Sequence, residues 1–263
     1  MGYDISYHPV SEQQIHTWYF DILKHPETAK QVAEAYGVEE FYWKQYEETV
    51  RAGLSADPDV SFDQTHGHFI ATVQGYFEQY FYVRGAALSF AGHPDMAVYY
   101  KPWQYIVPKF AFTQTVHNRI TANYSSGVYI PPHKVDALLG DYERRSSIAS
   151  VLDELFSDGR MAILLKALRY ASSKRLGLLE ATEVVEPNPL DLDGSSCYSN
   201  LLNCDPAGAL LYRETALAQL AEVERKENLE PGTIASKASY EVRSTPEVKK
   251  QERKGFWKKL FGK

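Results

Sequence analysis

The chain changes its hydrophobic rhythm several times. Tyr3, Ile5 and Tyr7 alternate with Asp4, Ser6 and His8, the period-2 pattern of a half-buried strand, which Pro9 ends. Ser11 and Gln14 match a capping box, and Ile15, Trp18, Tyr19, Ile22 and Leu23 follow at helical spacing. Pro26 in a first turn with Ala29, Val32 and Ala33 predicts a short helix stopped by Gly37. Phe41, Tyr42, Tyr46 and Val50 predict another, ending near Gly53.

After the turn-rich stretch SADPDVSFDQ, residues 66–90 show Phe69, Val73, Tyr76, Phe77, Tyr80, Phe81, Arg84 and Leu88 three or four apart, which predicts one long helix. Between Met96 and Pro131 the texture turns β-branched and aromatic, and RITANYSSGVYIPP predicts a hairpin turning at Ser125, Ser126 and Gly127. A small antiparallel sheet is expected there, with the first strand a candidate member. From Pro132 the helical period returns as far as Val185, with breaks at Gly140 and Gly159. PNPLDLDGSSCYSNLLNCDPAG mixes turn formers with leucines and predicts an ordered loop lying on the body, followed by a helix from Gly208 to about Glu227. The fold class read from this pattern is mainly α with a small antiparallel β-sheet (α+β).

A single body over 1–232 is followed by a polar linker over 233–254 and a short amphipathic segment over 255–263. In that last segment Phe256, Trp257, Leu260 and Phe261 share one helical face, with Lys258 and Lys259 on the other. Such an end suits weak contact with an anionic membrane surface or docking to a partner.

Composition narrows the partners. Apolar residues make up 44% and aromatics 13% of the chain, enough for a sizeable core. The net charge is −6, yet residues 243–263 carry eight Lys or Arg against two Glu, which leaves −12 for the rest. An acidic body repels nucleic acid and favours a basic protein. No secretory signal and no apolar run long enough to span a bilayer are visible, and Cys197 and Cys204 are the only cysteines, so a reducing cytoplasm is the expected compartment.

Chemistry is sparse. No phosphate-binding loop, dinucleotide fingerprint, HExxH or paired CxxC occurs, and no cofactor is expected. Asp63, His66 and His68 stand close together, but two positions on a helix differ by about 200°, so the imidazoles diverge if the helix starts at once. A non-helical start at Gly67 would let them chelate a metal; Asp63 or Thr65 as a helix cap explains the same letters without one. His93 forms a second polar loop, which a helix over 66–90, about 37 Å long, would hold apart from the first. His8, His117 and His133 read as exposed or capping residues. LDLDGSSC fails the calcium-loop formula, because position 1 is Pro189 and position 12 is Asn200 when Gly194 is aligned. Cys197 lacks a nucleophile elbow and would need a histidine from elsewhere.

Glu39, Glu40, Glu47, Glu48, Asp57 and Asp59 make one strongly acidic stretch. It reads either as a solvated helix face or as a docking patch for a basic protein. The leading expectation is therefore a protein-binding module, an immunity-type inhibitor of a basic protein being one form. The alternatives are a metal-assisted or cysteine-dependent hydrolase built on His66, His68 and Cys197, and a peripheral membrane scaffold.

Overall fold

The computed structural model describes residues 3–108 and 114–237. Strand β1 (Asp4–Val10) leads into α1 (Glu12–Ile15), a π-helical segment (His16–Phe20) and α2 (Asp21–Lys24). Ser11 and Gln14 close the capping box that starts this run. A 3-10 turn at Pro26–Thr28 passes into α3 (Ala29–Ala35), and α4 (Glu40–Leu54) follows. A second π-helical segment (Asp63–Gly67) opens α5 (His68–Phe77), after which come β2 (Tyr80–Arg84) and β3 (Ser126–Ile130). Three helices, α6 (Pro132–Arg144), α7 (Ser146–Leu155) and α8 (Arg160–Lys174), precede β4 (Gly177–Thr182). The short strands β5 (Val185–Glu186), β6 (Ser196–Cys197) and β7 (Cys204–Asp205) lead to α9 (Pro206–Lys226) and α10 (Thr233–Lys237).

The architecture is α+β. Five strands lie in the order β3-β4-β1-β2-β7, antiparallel except for the β2–β7 pair, and β5 with β6 forms a separate ladder. Both faces of the main sheet are covered. On one side Ile5, Tyr7, Phe81, Val83 and Leu178 pack with α6, α7 and α8. On the other, Tyr129, Leu179 and Ala181 pack with Trp18, Tyr19, Tyr46, Ile70 and Val73 from the N-terminal helices and α5.

Five expectations are corrected by this arrangement. Residues 66–90 are not one helix: α5 stops at Phe77, and Tyr80–Arg84 is the β2 strand beside β1. The run misled because a strand buried on both faces is apolar throughout and shows no period of its own. The hairpin around Ser125–Gly127 is absent; Ser126–Ile130 is a single strand whose partner is β4, fifty residues further on. Leu178–Val185 continues a helical period on paper but forms strands β4 and β5, since Arg175 in left-handed conformation ends α8. Gly140 lies inside α6, whereas Gly159, with φ of +84°, does set the start of α8. The first strand is also not half-buried, for every residue from Asp4 to Val10 is buried.

Residues 233–237, read as the beginning of a linker, form α10. The Glu224 carboxylate on α9 holds it by accepting the Gly232 and Ile234 N–H groups. The remaining linker and the segment with Phe256, Trp257, Lys258, Lys259, Leu260 and Phe261 lie outside the described residues.

Candidate functional site

Because β1 has helices on both sides, its polar alternates face inward and form a buried layer under α5. Ser6 Oγ lies 2.8 Å from His8 Nε2, and His8 Nδ1 lies 2.7 Å from Gln74 Oε1 on α5. With Nδ1–H donating to the amide oxygen, Nε2 accepts from the serine hydroxyl. Tyr80 stacks on the imidazole at 5.1 Å, and its hydroxyl touches Cys197 Sγ at 3.2 Å. Ser6 and His8 are fully buried. Burial pushes His8 down to about 3, partly offset by the hydrogen bond to Gln74 and reinforced by His68. Serine, histidine and amide are connected as nucleophile, base and orienting group would be, yet a sealed histidine this reluctant to take a proton is a poor base.

The π-helical segment sends the sequence candidates in three directions. Asp63 is buried and holds the 114–121 loop, accepting from His117 N at 3.2 Å and Thr121 Oγ1 at 2.8 Å, with His117 Nδ1 at 3.1 Å. His66 turns to the other π-helical segment, its Nδ1 2.7 Å from the Tyr19 hydroxyl. His68 turns to Tyr124 and Tyr198, with ring centroids at 5.7 and 6.5 Å. Burial lowers His66 and brings His68 down to about 4. His93 is on the other side of the sheet, in a cleft of about 560 Å³ lined by Phe90, Val151, Glu154 and Leu155, where it caps a 3-10 turn by accepting from Asp95 N. His8, read as exposed, is sealed, while His133 is exposed at the start of α6 as expected.

The loop from Ser196 to Asn203 does lie against the body, and it brings Cys197 near the histidine layer. Ser199 Oγ donates to Thr72 O at 2.7 Å, Tyr76 Oη to Tyr198 O at 2.7 Å, and Asn203 Nδ2 to Gly75 O at 3.0 Å. The neighbours of Cys197 Sγ are Tyr80 Oη and Ser199 N rather than an imidazole. Burial raises the Cys197 thiol, and it raises Cys204 to about 12. Neither is the lowered thiol that a cysteine nucleophile needs. Among the described residues, no three His, Cys, Asp or Glu side chains are grouped so as to hold a metal ion.

The acidic stretch lies on α4 and the turn after it. Glu47 is paired with Arg51 at 2.6 Å and Glu48 with Lys44 at 3.7 Å, whereas Glu39 and Glu40 have no ion pair among the described residues. Asp57 and Asp59 sit beyond the other end of α4, about 22 Å away. What the sequence did not single out is the apolar surface beside Glu39 and Glu40. Phe41 is 73% exposed and touches Tyr42, whose ring meets Tyr76 at 5.8 Å. The loop over Tyr76 carries Tyr198, Leu201 and Leu202, the last 77% exposed. Tyr76 joins the two segments, its ring meeting Tyr42 on α4 and its hydroxyl donating to the Tyr198 carbonyl in the 196–203 loop.

A second cleft, of about 570 Å³, separates α8 from α9 and is lined by Arg84, Arg160, Tyr212 and Gln219. Both arginines already have carboxylate partners, Asp4 at 2.5 Å and Asp158 at 2.8 Å. No helix of the described residues is long and apolar enough to cross a membrane. Compared with known proteins, the chain matches no family model, no curated protein and no solved structure.

Proposed function

We propose that the chain is a protein-binding module that covers a basic partner protein with the face made by Phe41, Tyr198, Leu201 and Leu202 and the neighbouring Glu39 and Glu40. The observation that carries this reading is the exposure of large apolar side chains on two segments that Tyr76 joins, α4 and the 196–203 loop, with Glu39 and Glu40 beside Phe41 and without an ion pair among the described residues. Apolar anchors with a charged rim are how protein interfaces divide affinity from steering. An unpaired acidic rim selects a basic surface. An immunity-type inhibitor acting in the cytoplasm is one form of such a module.

The hydrolase reading has less support. Its residues are dispersed, His66 meeting Tyr19, His68 meeting Tyr124 and Cys197 meeting Tyr80, and burial raises the Cys197 thiol away from the thiolate. The test is capture of partner proteins from source-cell extract by the full chain, identified by mass spectrometry. A basic protein retained by the native chain, released by salt and lost with Glu39→Lys/Glu40→Lys supports the module. Retention of the same proteins by the charge-reversed chain overturns it.

A further inference from the structure

Arg84 ends β2 and lines the cleft of about 570 Å³ between α8 and α9. Its guanidinium is fixed from two directions. Nη1 meets Asp4 Oδ1 at 2.5 Å, and that carboxylate is itself held by the Tyr82 hydroxyl at 2.6 Å. The Tyr212 ring lies against the guanidinium, its centroid 5.0 Å from Cζ.

The pairing with Asp4 leaves one edge of the guanidinium unused. Nε and Nη2, which share that edge, make no hydrogen bond among the described residues, and neither is sealed from solvent. Two parallel N–H groups on one edge match the two oxygens of a carboxylate. Because Asp4 and Tyr212 already hold the group in place, binding there orders little that is not ordered beforehand.

The rest of the cleft sets the charge and the character of the ligand. Arg160, in the first turn of α8, donates to Ser157 and Asp158 through Nε and Nη2, while its Nη1 reaches the Arg84 carbonyl oxygen at 3.4 Å. A second positive charge therefore stands beside Arg84. Asp158, the partner of Arg160, is 78% exposed, so solvent screens it. With Asp4 also close, two guanidiniums leave room for one negative charge rather than two. Ile163 and Leu211 give the cleft an apolar wall, and its volume falls in the range of small-molecule sites.

The geometry points to a binding site for a small organic carboxylate, its two oxygens on Nε and Nη2 of Arg84 and its apolar body against Ile163 and Leu211. No residue of the proposed protein-binding face lines this cleft, so the two readings stand or fall separately.

The test titrates the full chain, labelled with nitrogen-15 at arginine, with sodium hexanoate at mildly acidic pH and constant ionic strength. Hexanamide is the neutral analogue and hexylphosphonate the more highly charged one. The expected result is a saturable displacement of the Arg84 Nε–H resonance by hexanoate, a weaker one by hexylphosphonate and none by hexanamide. Arg51, whose Nε already donates to Glu47 on the surface of α4, should not move. Arg84→Lys keeps the charge beside Asp4 but removes the paired edge, and should weaken hexanoate about tenfold. Thr215→Glu places a carboxylate at an exposed position of the cleft wall and should weaken it about fivefold with the fold intact, which decides the matter if Arg84→Lys does not fold. No saturable response to hexanoate, an equal response to hexanamide, or undiminished binding in either folded variant overturns the site. Tighter binding of hexylphosphonate overturns the carboxylate as its ligand.

Discussion

Ser6 and His8, two residues apart on the same strand, hydrogen-bond to each other at 2.8 Å with both side chains sealed from solvent. The imidazole is confined on its remaining sides by Gln74 and the Tyr80 ring. Such a pair holds β1 to α5 and keeps the histidine neutral. The unfolded chain, with the ordinary value of 6.5, takes up a proton before folded His8 at about 3 or His68 at about 4. Their contribution to stability is therefore intact above pH 6.5 and falls as pH drops from there towards 4 and then 3. Denaturant melts across that range should show the loss. His8→Gln should flatten the acid limb while costing about 1–3 kcal/mol near neutrality, because Ser6 and Gln74 lose a partner.

Glu180 on the other face of the sheet has the opposite sign. Burial raises it to about 7, although Ser89 hydrogen bonds pull it down. It fits only because residue 127 is glycine: a Cβ there would stand 2.0 Å from Glu180 Oε1. Glu183, raised by burial to about 7, behaves in the same way. The folded state prefers both acids protonated, so their stabilisation is full below the ordinary 4.5 and is lost as pH rises from there through 7. Together with the histidines, these groups place greatest stability between about pH 4.5 and 6.5. Glu180→Gln should gain stability relative to the native chain at pH 8 and lose that advantage at pH 5, by thermal denaturation at both.

The N-terminal helices were legible because each has one buried face and explicit punctuation, the Ser11 capping box and the Gly37 stop among them. The central sheet was not. Residues 4–10, 80–83 and 177–182 are buried on both faces, so polar residues in β1 looked like a solvent side and apolar ones in β2 like a helix stripe. The divergence of His66 and His68 was readable from helical geometry, although the segment turns out to be π-helical. What sequence could not supply was pairing at long range: Asp63 with His117, Tyr76 with the Tyr198 backbone, and the exposed cluster that results.

Helix α9 approaches β2 as closely as a backbone permits. A Cβ on Gly208 would stand 1.8 Å from the Tyr82 carbonyl oxygen, and a paired strand cannot yield. Gly208→Ala should therefore cost about 1–3 kcal/mol and speed amide exchange along α9. Gly92→Ala, which meets nothing within 4 Å, is the matched control and should stay within about 0.5 kcal/mol of native.

The two cysteines should be slow to react. With Cys204 raised by burial to about 12 and Cys197 raised beside Tyr80, little thiolate is present at neutral pH. Iodoacetamide labelling followed by mass spectrometry should modify both far more slowly in the folded chain than in denaturant. Rapid native labelling of Cys197 would revive the cysteine-dependent hydrolase.

Phe41 and Leu202 are 73% and 77% exposed, so Phe41→Ser and Leu202→Ser should each leave stability within about 0.5 kcal/mol of native. Once the captured basic protein is identified, calorimetric titration of that protein into the native chain and into the Phe41→Ser/Leu202→Ser double variant tests the binding face most directly. The account predicts at least about a hundredfold weaker binding by the double variant, with the fold unchanged by circular dichroism. Equal affinity for the two chains would contradict it.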